Sequence, residues 1–161
     1  MSPQIRTDLR PGDLGKLIAL HGMTYRPEDG FGLEFEAYVA QTVAEFILGN
    51  RNQGRIWLAE QGDTLAGCVA LAERPRRRGQ LRWLVVHPDY RGSGLGRRLV
   101  QSVIEHAKER ELDAIYLETT DGLDASMRLY ASLGFRVMRE SVEVLWSSAR
   151  PLIVMEKDLS D

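Results

Sequence analysis

The sequence predicts a mixed α/β fold, and three observations support this prediction. Apolar residues recur at helical spacing in two early segments and again after residue 94. Short apolar runs bounded by turn residues predict strands between and after these helices. The order of strands and helices is mixed along the chain, which is typical of an α/β domain. Because 161 residues is a common size for one domain, we expect a single domain over residues 1–161.

Composition and charge narrow the classes of function. The formal net charge is −2, without the excess of Lys and Arg that phosphate binding needs, so generic nucleic-acid binding is disfavoured. Cys68 stands in an apolar run typical of a buried strand, and the three histidines lack zinc-ligand spacing, so no metal is expected. The amino terminus lacks signal-peptide features and no apolar run reaches membrane-spanning length, so we expect a cytoplasmic protein.

The first half of the chain is predicted to hold a strand, two helices and a hairpin. Pro11, Gly12 and Asp13 form a turn that opens the first helix, and Pro27 ends it. The predicted elements are a strand at 5–9, a helix to about residue 26, a helix at 34–48 and strands at 56–60 and 64–72.

The second half begins with a nearly continuous apolar run at 79–87, which predicts a central strand buried on both faces. A helix is predicted from Gly94, a strand at 114–118, a helix at 124–133 and strands at 135–144 and 152–155. The basic cluster of Arg74, Arg76, Arg77 and Arg78 is expected to be a solvated loop.

The most informative segment is the glycine-rich loop that joins the strand at 79–87 to the following helix. Glycines at 92, 94 and 96 let backbone amides approach a ligand, and the helix that begins there directs unpaired N–H groups outward. Arg91, Arg97 and Arg98 add cationic donors. The loop therefore suits a diphosphate.

Two other phosphate-binding loops fit this sequence less well. A dinucleotide loop has Gly-x-Gly-x-x-Gly near an early strand, whereas this chain has Gly92-Ser-Gly-Leu-Gly96 past its midpoint. The Gly-Lys-Ser/Thr ending of a nucleoside-triphosphate loop is missing. A simple connecting turn is the remaining alternative for three isolated glycines.

Two motifs in this chain resemble those of the GCN5-related N-acetyltransferases, the GNAT superfamily. The first is Val86-His-Pro88 followed by Arg91-Gly-Ser-Gly94-Leu-Gly96, and the second is Leu129-Tyr130 followed by Gly134-Phe135. The resemblance covers roughly residues 56–158, and residues 31–46 and 81–96 also look like acetyltransferase domains fused to bacterial MarR-type regulators. Leu123 departs from the family, where many members carry Asn, and Asp124 or Ser126 is expected to replace part of that contact.

The resemblance implies a mixed sheet of about seven strands with splayed central strands and about four helices on its two faces. It implies an N-acetyltransferase in which an amine attacks the thioester of acetyl-CoA directly. By family analogy, pantetheine pairs with the backbone of one strand, and the pyrophosphate lies on the glycine loop. The implied cofactor-binding residues are Leu84, Val85, Val86, Arg91, Gly92, Ser93, Gly94, Leu95, Gly96, Arg97, Asp124, Ser126 and Tyr130.

Tyr130 and Glu118 are the predicted catalytic residues. Tyr130 matches the family tyrosine near the thioester sulfur, where a phenol donates to the leaving thiolate; an aromatic core residue is its alternative. Glu118 ends a predicted strand and resembles the base of ribosomal-protein N-terminal acetylases, with a solvated strand-end carboxylate as the alternative. His87 is the competing base, although its position also fits a strand exit.

The acceptor amine is not identified by the sequence. Glu28, Asp29, Glu34 and Glu36, with Tyr25, Phe31 and Phe35, suggest an acidic, aromatic wall that suits a cationic amine: a small molecule, a peptide amino terminus or a lysine. Helix-capping acids and core aromatics are the alternative. A non-catalytic acyl-CoA sensor is the second functional hypothesis, and pairing of the closing strands in a homodimer is a third.

Overall fold

A computed structural model describes residues 2–50 and 53–160, without the side chains of Glu28 and Asn50. The helices are α1 (Asp13–Thr24), α2 (Leu33–Asn50), α3 (Leu95–Glu109) and α4 (Asp124–Ser132). The strands are β1 (Gln4–Arg6), β2 (Gly54–Gln61), β3 (Thr64–Arg74), β4 (Arg78–Val86), β5 (Ala114–Thr119), β6 (Arg136–Leu145) and β7 (Ser148–Asp158).

The described strands form one seven-stranded sheet in the order β1-β2-β3-β4-β5-β7-β6. β4 and β5 run parallel, and the other neighbouring pairs run antiparallel. The parallel pairing joins only residues 78–80 to residues 114–116. Beyond this level the two central strands separate, which confirms the predicted mixed sheet with splayed central strands.

Helices cover both faces of the sheet, and β3 explains why. Val69 and Leu71 belong to the core under α3, whereas Cys68 and Ala70 belong to the core under α1 and α2. All four are fully buried, which accounts for the continuous apolar pattern of a central strand. Cys68 is therefore structural, as predicted, and burial raises the pKa of its thiol.

A β-bulge interrupts the pairing of β3 with β4. Cys68 lies opposite Val85, but Ala70 lies opposite Arg82, so Trp83 and Leu84 together face Val69. Trp83 has φ 52, in the left-handed region, and its indole donates a hydrogen bond to the Thr42 hydroxyl at 3.1 Å. The bulge lies at the level where β4 leaves β5.

Several element boundaries differ from the sequence predictions. β1 is shorter than predicted, and β7 extends well beyond the predicted residues 152–155. Pro151 argued against a strand at this position, because proline has no N–H to donate. In the structure the pairing of β7 with β5 begins only at Ile153, so the missing N–H of Pro151 breaks no bond to β5. Only part of the basic cluster forms the predicted loop: Arg76 and Arg77 lie in a tight turn with positive φ, whereas Arg74 ends β3 and Arg78 begins β4.

None of the helices in the described part of the chain has the length and apolar character needed to cross a lipid bilayer.

His21 is a buried histidine of α1. Its Nδ1 lies 2.9 Å from the Leu17 carbonyl oxygen, which can only accept, so Nδ1 carries the proton. Burial lowers the pKa of His21 to about 4, from 6.5. Between these pH values, the His21 side chain therefore binds a proton in the unfolded chain but not in the folded protein.

We expect the free energy of unfolding of the wild type to fall as the pH drops from about 6.5 to about 4. The contribution from His21 reaches about 3 kcal/mol, since each pKa unit corresponds to about 1.4 kcal/mol. A His21→Leu variant should show a shallower decline over this window in urea unfolding experiments. Equal slopes for the two proteins would contradict a buried, neutral His21.

Candidate active site

Two cavities meet where β4 and β5 separate. The larger, about 490 Å³, lies over the glycine loop, and we call it the loop cavity. The smaller, about 350 Å³, lies between the sheet, α1, α2 and the β6–β7 hairpin, and we call it the hairpin cavity. Both are lined by Tyr25, Leu84, Leu123 and Ser126, so the two cavities adjoin at the gap between β4 and β5.

The glycine loop has the backbone geometry that anion binding requires. Gly92 and Gly94 have φ of 77 and 85, and a Cβ at either position would meet no atom within 4 Å. Gly94 precedes the first residue of α3 and provides no side-chain cap. The N–H groups at the start of α3 therefore point into the loop cavity without an intrahelical acceptor. A diphosphate group fits this cradle of amides.

The arginines near this loop divide into two groups. Arg91 and Arg97 line the loop cavity, and Arg97 also donates to the Ser132 hydroxyl at 2.8 Å. Arg98 instead donates to the Pro3 carbonyl at 3.2 Å and does not line either cavity. The expectation that Arg98 helps hold the anion is wrong, because one further residue along α3 turns its side chain toward the amino terminus.

Most of the predicted cofactor-binding residues line the loop cavity. They are Leu84, Val85, Val86, Arg91, Gly92, Gly94, Leu95, Gly96, Arg97, Asp124 and Ser126. Ser93 does not line this cavity, because its hydroxyl donates to the Tyr90 carbonyl within the loop. Leu123, which stands in place of the family Asn, lies where the two cavities meet.

The backbone of β4 offers hydrogen-bonding groups to the cleft. Val85 lies opposite Cys68, and the His87 N–H donates to the Ala66 carbonyl at 2.7 Å, so these residues face β3. Because backbone groups alternate in direction along a strand, Leu84 and Val86 face the side that β5 has left. The Leu84 carbonyl accepts a bond from the Tyr25 hydroxyl at 3.4 Å, which places this carbonyl at the junction.

Tyr130 lies at the end of α4 and lines the hairpin cavity rather than the loop cavity. Its side chain is 6% exposed, and its ring packs 5.7 Å from that of Phe135. Among the described residues its hydroxyl has no hydrogen-bond partner, so it is a free donor. Burial, with a smaller effect of Tyr25, raises the pKa of Tyr130, so the phenol is neutral and protonated at physiological pH.

Glu118 and His87, the two candidate bases, lie in different places. Glu118 is exposed on β5 and lines the hairpin cavity. His87 lines neither cavity, and its Nδ1 accepts a bond from the Asp89 N–H at 3.0 Å, so it caps the turn after β4. The geometry therefore favours Glu118 over His87.

Aromatic side chains form the outer wall of the hairpin cavity. Trp146 packs 4.9 Å from Phe35 and 6.0 Å from Tyr38, measured between ring centres, and Tyr25 packs 5.5 Å from Phe35. Phe31 packs against this group at 5.1 Å from Phe35 and lines the neighbouring loop cavity rather than the hairpin cavity. We call these five residues the aromatic wall.

The acidic part of the predicted wall is not confirmed. Glu34 and Glu36 line neither cavity, because α2 turns Phe35 and Val39 toward the core and directs the intervening acids elsewhere. Asp29 lines the loop cavity instead. The side chain of Glu28 lies outside the described part of the chain.

Arg150 of β7 ties the surrounding loops together. Its Nε and Nη2 donate to Asp121 Oδ1 at 3.0 and 2.9 Å, and its Nη1 donates to the Asp29 carbonyl at 2.9 Å. The guanidinium lies 4.5 Å from the centre of the Phe31 ring. The hydrogen bonds from Arg150 hold the pKa of Asp121 below its ordinary range. One buried cation thus joins the loop before α2, the loop before α4 and the hairpin.

Sequence reasoning missed several residues of the hairpin cavity. Arg82 and His21 line it, and His21 Nε2 is a buried acceptor without a partner in the described residues. Trp146, in the turn between β6 and β7, closes the aromatic wall. The interruption of the apolar run of β4 by Arg82 was the available signal, since a charge within a central strand needs a partner.

Comparisons with known proteins agree with this geometry. The sequence profile of the acetyltransferase (GNAT) family matches residues 20–135, more than half of the chain. The mycothiol acetyltransferase of Thermobispora bispora is 38% identical over 150 residues, which are 92% of this chain and 45% of that protein. The chain spans about half the length of the curated relatives it matches.

Two solved structures share the fold. An N-acetyltransferase from Staphylococcus aureus Mu50 has a TM-score of 0.77 at 20% identity, with 99% of this chain and 100% of that chain covered. A Salmonella typhimurium protein solved with its cofactor acetyl-CoA has a TM-score of 0.73 at 20% identity, with 100% and 96% covered. From the family profile, the chain belongs to the acetyltransferase (GNAT) family.

Proposed function

We propose that this protein is an N-acetyltransferase that moves an acetyl group from acetyl-CoA to a primary amine by direct attack in a ternary complex. The observation that carries the proposal is the meeting of two cavities where β4 leaves β5. One cavity has the features of an anion site, and the other holds a free phenol and a carboxylate. A reaction between two bound molecules needs both sites to open on one point.

Acetyl-CoA supplies an activated acetyl group, and the residues of the loop cavity fit its parts. The amides at the start of α3, with Arg91 and Arg97, would hold the pyrophosphate. Leu84 and Val86 would pair with the amides of the pantetheine arm, as an added strand does. A fold neighbour that was solved with acetyl-CoA supports this choice of co-substrate.

Glu118 is proposed as the base that frees the amine. A primary alkylamine with a pKa near 10.4 is protonated at neutral pH, and its deprotonation costs about 4 to 5 kcal/mol. Glu118 lines the hairpin cavity on the strand that faces the open edge of β4. A carboxylate there stabilises the incoming ammonium and accepts its proton, directly or through water.

Tyr130 is proposed to stabilise the leaving thiolate. A thiol has a pKa near 8.5, below that of a phenol, so complete proton transfer from Tyr130 would be uphill. The raised pKa of Tyr130 strengthens this argument. We therefore assign Tyr130 a hydrogen bond to the sulfur, with the net proton coming from the amine. This refines the expectation that the phenol gives up its proton.

We expect Gly94→Ala to weaken acetyl-CoA binding about tenfold or more, because the added Cβ enters the space where the diphosphate meets the backbone. Gly12→Ala is a matched control. Gly12 also precedes a helix with positive φ, 97 against 85, and its Cβ would likewise meet no atom within 4 Å. Both variants carry similar backbone strain, so calorimetric titration with acetyl-CoA should separate them. Equal affinities for the two would contradict a cofactor site at this loop.

We expect Tyr130→Phe to lower kcat about 100-fold or more while leaving the Kd for acetyl-CoA nearly unchanged. Glu118→Gln should also lower kcat, with recovery toward high pH as the free amine becomes abundant. The measurement is release of coenzyme A thiol across a panel of amines, with Glu140→Gln on β6 as an exposed control. A wild type that binds acetyl-CoA but acetylates no amine would favour an acyl-CoA sensor instead.

A further inference from the structure

The bulge in β4 brings two consecutive side chains to the same face of the sheet. Gln80 and Arg82 alternate normally, but the extra residue also turns Trp83 toward α2, where it joins the core. The Arg82 guanidinium lies 4.8 Å from the centre of the Trp83 ring, and its Nη2 donates to the Tyr38 hydroxyl at 3.2 Å. These contacts fix the guanidinium beside Tyr38, and both residues line the hairpin cavity.

Arg82 forms no ion pair among the described residues, although it also lines a smaller cavity with Glu45 and Glu73. No carboxylate among the described residues lies within 4.0 Å of its guanidinium. By contrast, Arg78 lies on the same strand and face, pairs with Glu156 at 3.0 Å and stacks 4.3 Å from the Tyr116 ring centre. A half-buried guanidinium that is positioned but unpaired is suited to a carboxylate ligand, which it binds through two parallel hydrogen bonds.

Glu118 supplies the opposite charge to the same cavity. Gln80 pairs with Tyr116 at the last level where β4 and β5 touch, and Arg82 and Glu118 each lie two residues further along. Both line the hairpin cavity, yet their charged groups are not within the 4.0 Å of an ion pair in the described structure. Two unpaired opposite charges on one cavity floor match a molecule that carries both an ammonium and a carboxylate.

The remaining lining of the hairpin cavity is largely apolar. Leu117 and Leu152 join Phe35, Tyr38 and Trp146 around the space between the two charges. The cavity volume of about 350 Å³ is near the lower end for ligand sites, about 300 to 1,000 Å³. The occupant is therefore small and has an apolar body.

We propose that the acceptor is a free amino acid with an apolar or aromatic side chain. Its ammonium lies toward Glu118, its carboxylate binds Arg82, and its side chain packs against the aromatic wall. This inference rests on the proposed function. The N–C bond forms as the C–S bond of the thioester breaks, giving an N-acetyl amino acid, coenzyme A thiol and one proton.

The test compares each amino acid with its own primary amide, which keeps the amine and side chain but removes the carboxylate charge. Thiol release is measured for phenylalanine, leucine and their amides with the wild type, Arg82→Gln and the control Arg78→Gln. We expect the wild type and Arg78→Gln to favour the free acid at least tenfold in kcat/KM. In Arg82→Gln this preference should fall to about one, through KM rather than kcat.

A second readout does not depend on turnover. Calorimetry in the presence of coenzyme A should show N-acetylphenylalanine binding the wild type at least tenfold more tightly than its amide, with the difference lost in Arg82→Gln.

An acid preference that survives Arg82→Gln would overturn the assignment of Arg82. Equal or better use of amides, peptide amino termini or polyamines would overturn the amino-acid acceptor while the acetyltransferase stands. Absence of thiol release with every amine would count against the proposed function itself, and absence of acid-selective product binding would then overturn this inference separately.

Discussion

The separation of β4 from β5 is the constraint on which the rest of the site depends. Parallel pairing ends at Gln80 and Tyr116, and the bulge at Trp83 redirects β4 immediately afterwards. On the side that faces β5, the backbone of Leu84 and Val86 is then left without a strand partner among the described residues, although the Leu84 carbonyl accepts a bond from the Tyr25 hydroxyl. Backbone groups at such an edge need hydrogen bonds from water or a ligand, so the sheet carries an unfilled strand position at its centre.

The other parts of the site take their positions from this opening. The glycine loop lies at the carboxyl end of β4, because it joins β4 to α3. The β6–β7 hairpin covers the other side of the opening, over the hairpin cavity. Arg150 keeps this closure in place through Asp121, Asp29 and the aromatic wall. The Arg150 guanidinium is buried and uses nearly all of its donors, so it joins the loops around the cleft in one hydrogen-bonded network.

The local parts of the site were predictable from sequence, and the parts that depend on distant pairing were not. The glycine loop and Tyr130 stand in short motifs whose geometry follows from neighbouring residues, and the structure places both at the cleft. The side of β4 that carries Trp83 was not predictable, because a bulge after Arg82 shifts the alternation and depends on the pairing with β3. Trp146 lies at the site because β6 and β7 form a long hairpin with Trp146 in its turn. The length of β7 was not predictable, because Pro151 argues against a strand there. Glu34 and Glu36 lie outside both cavities because α2 buries the face that carries Phe35 and Val39, and composition alone does not show which face is buried.

A crystal structure of the protein with acetyl-CoA tests the central claim most directly, namely that the gap between β4 and β5 is the binding position of the pantetheine arm. The account predicts pantetheine amides hydrogen-bonded to the backbone of Leu84 and Val86, with the pyrophosphate on the amides at the start of α3 and the thioester beside Tyr130. A cofactor bound elsewhere, or a gap closed by continued pairing of β4 with β5, would contradict it.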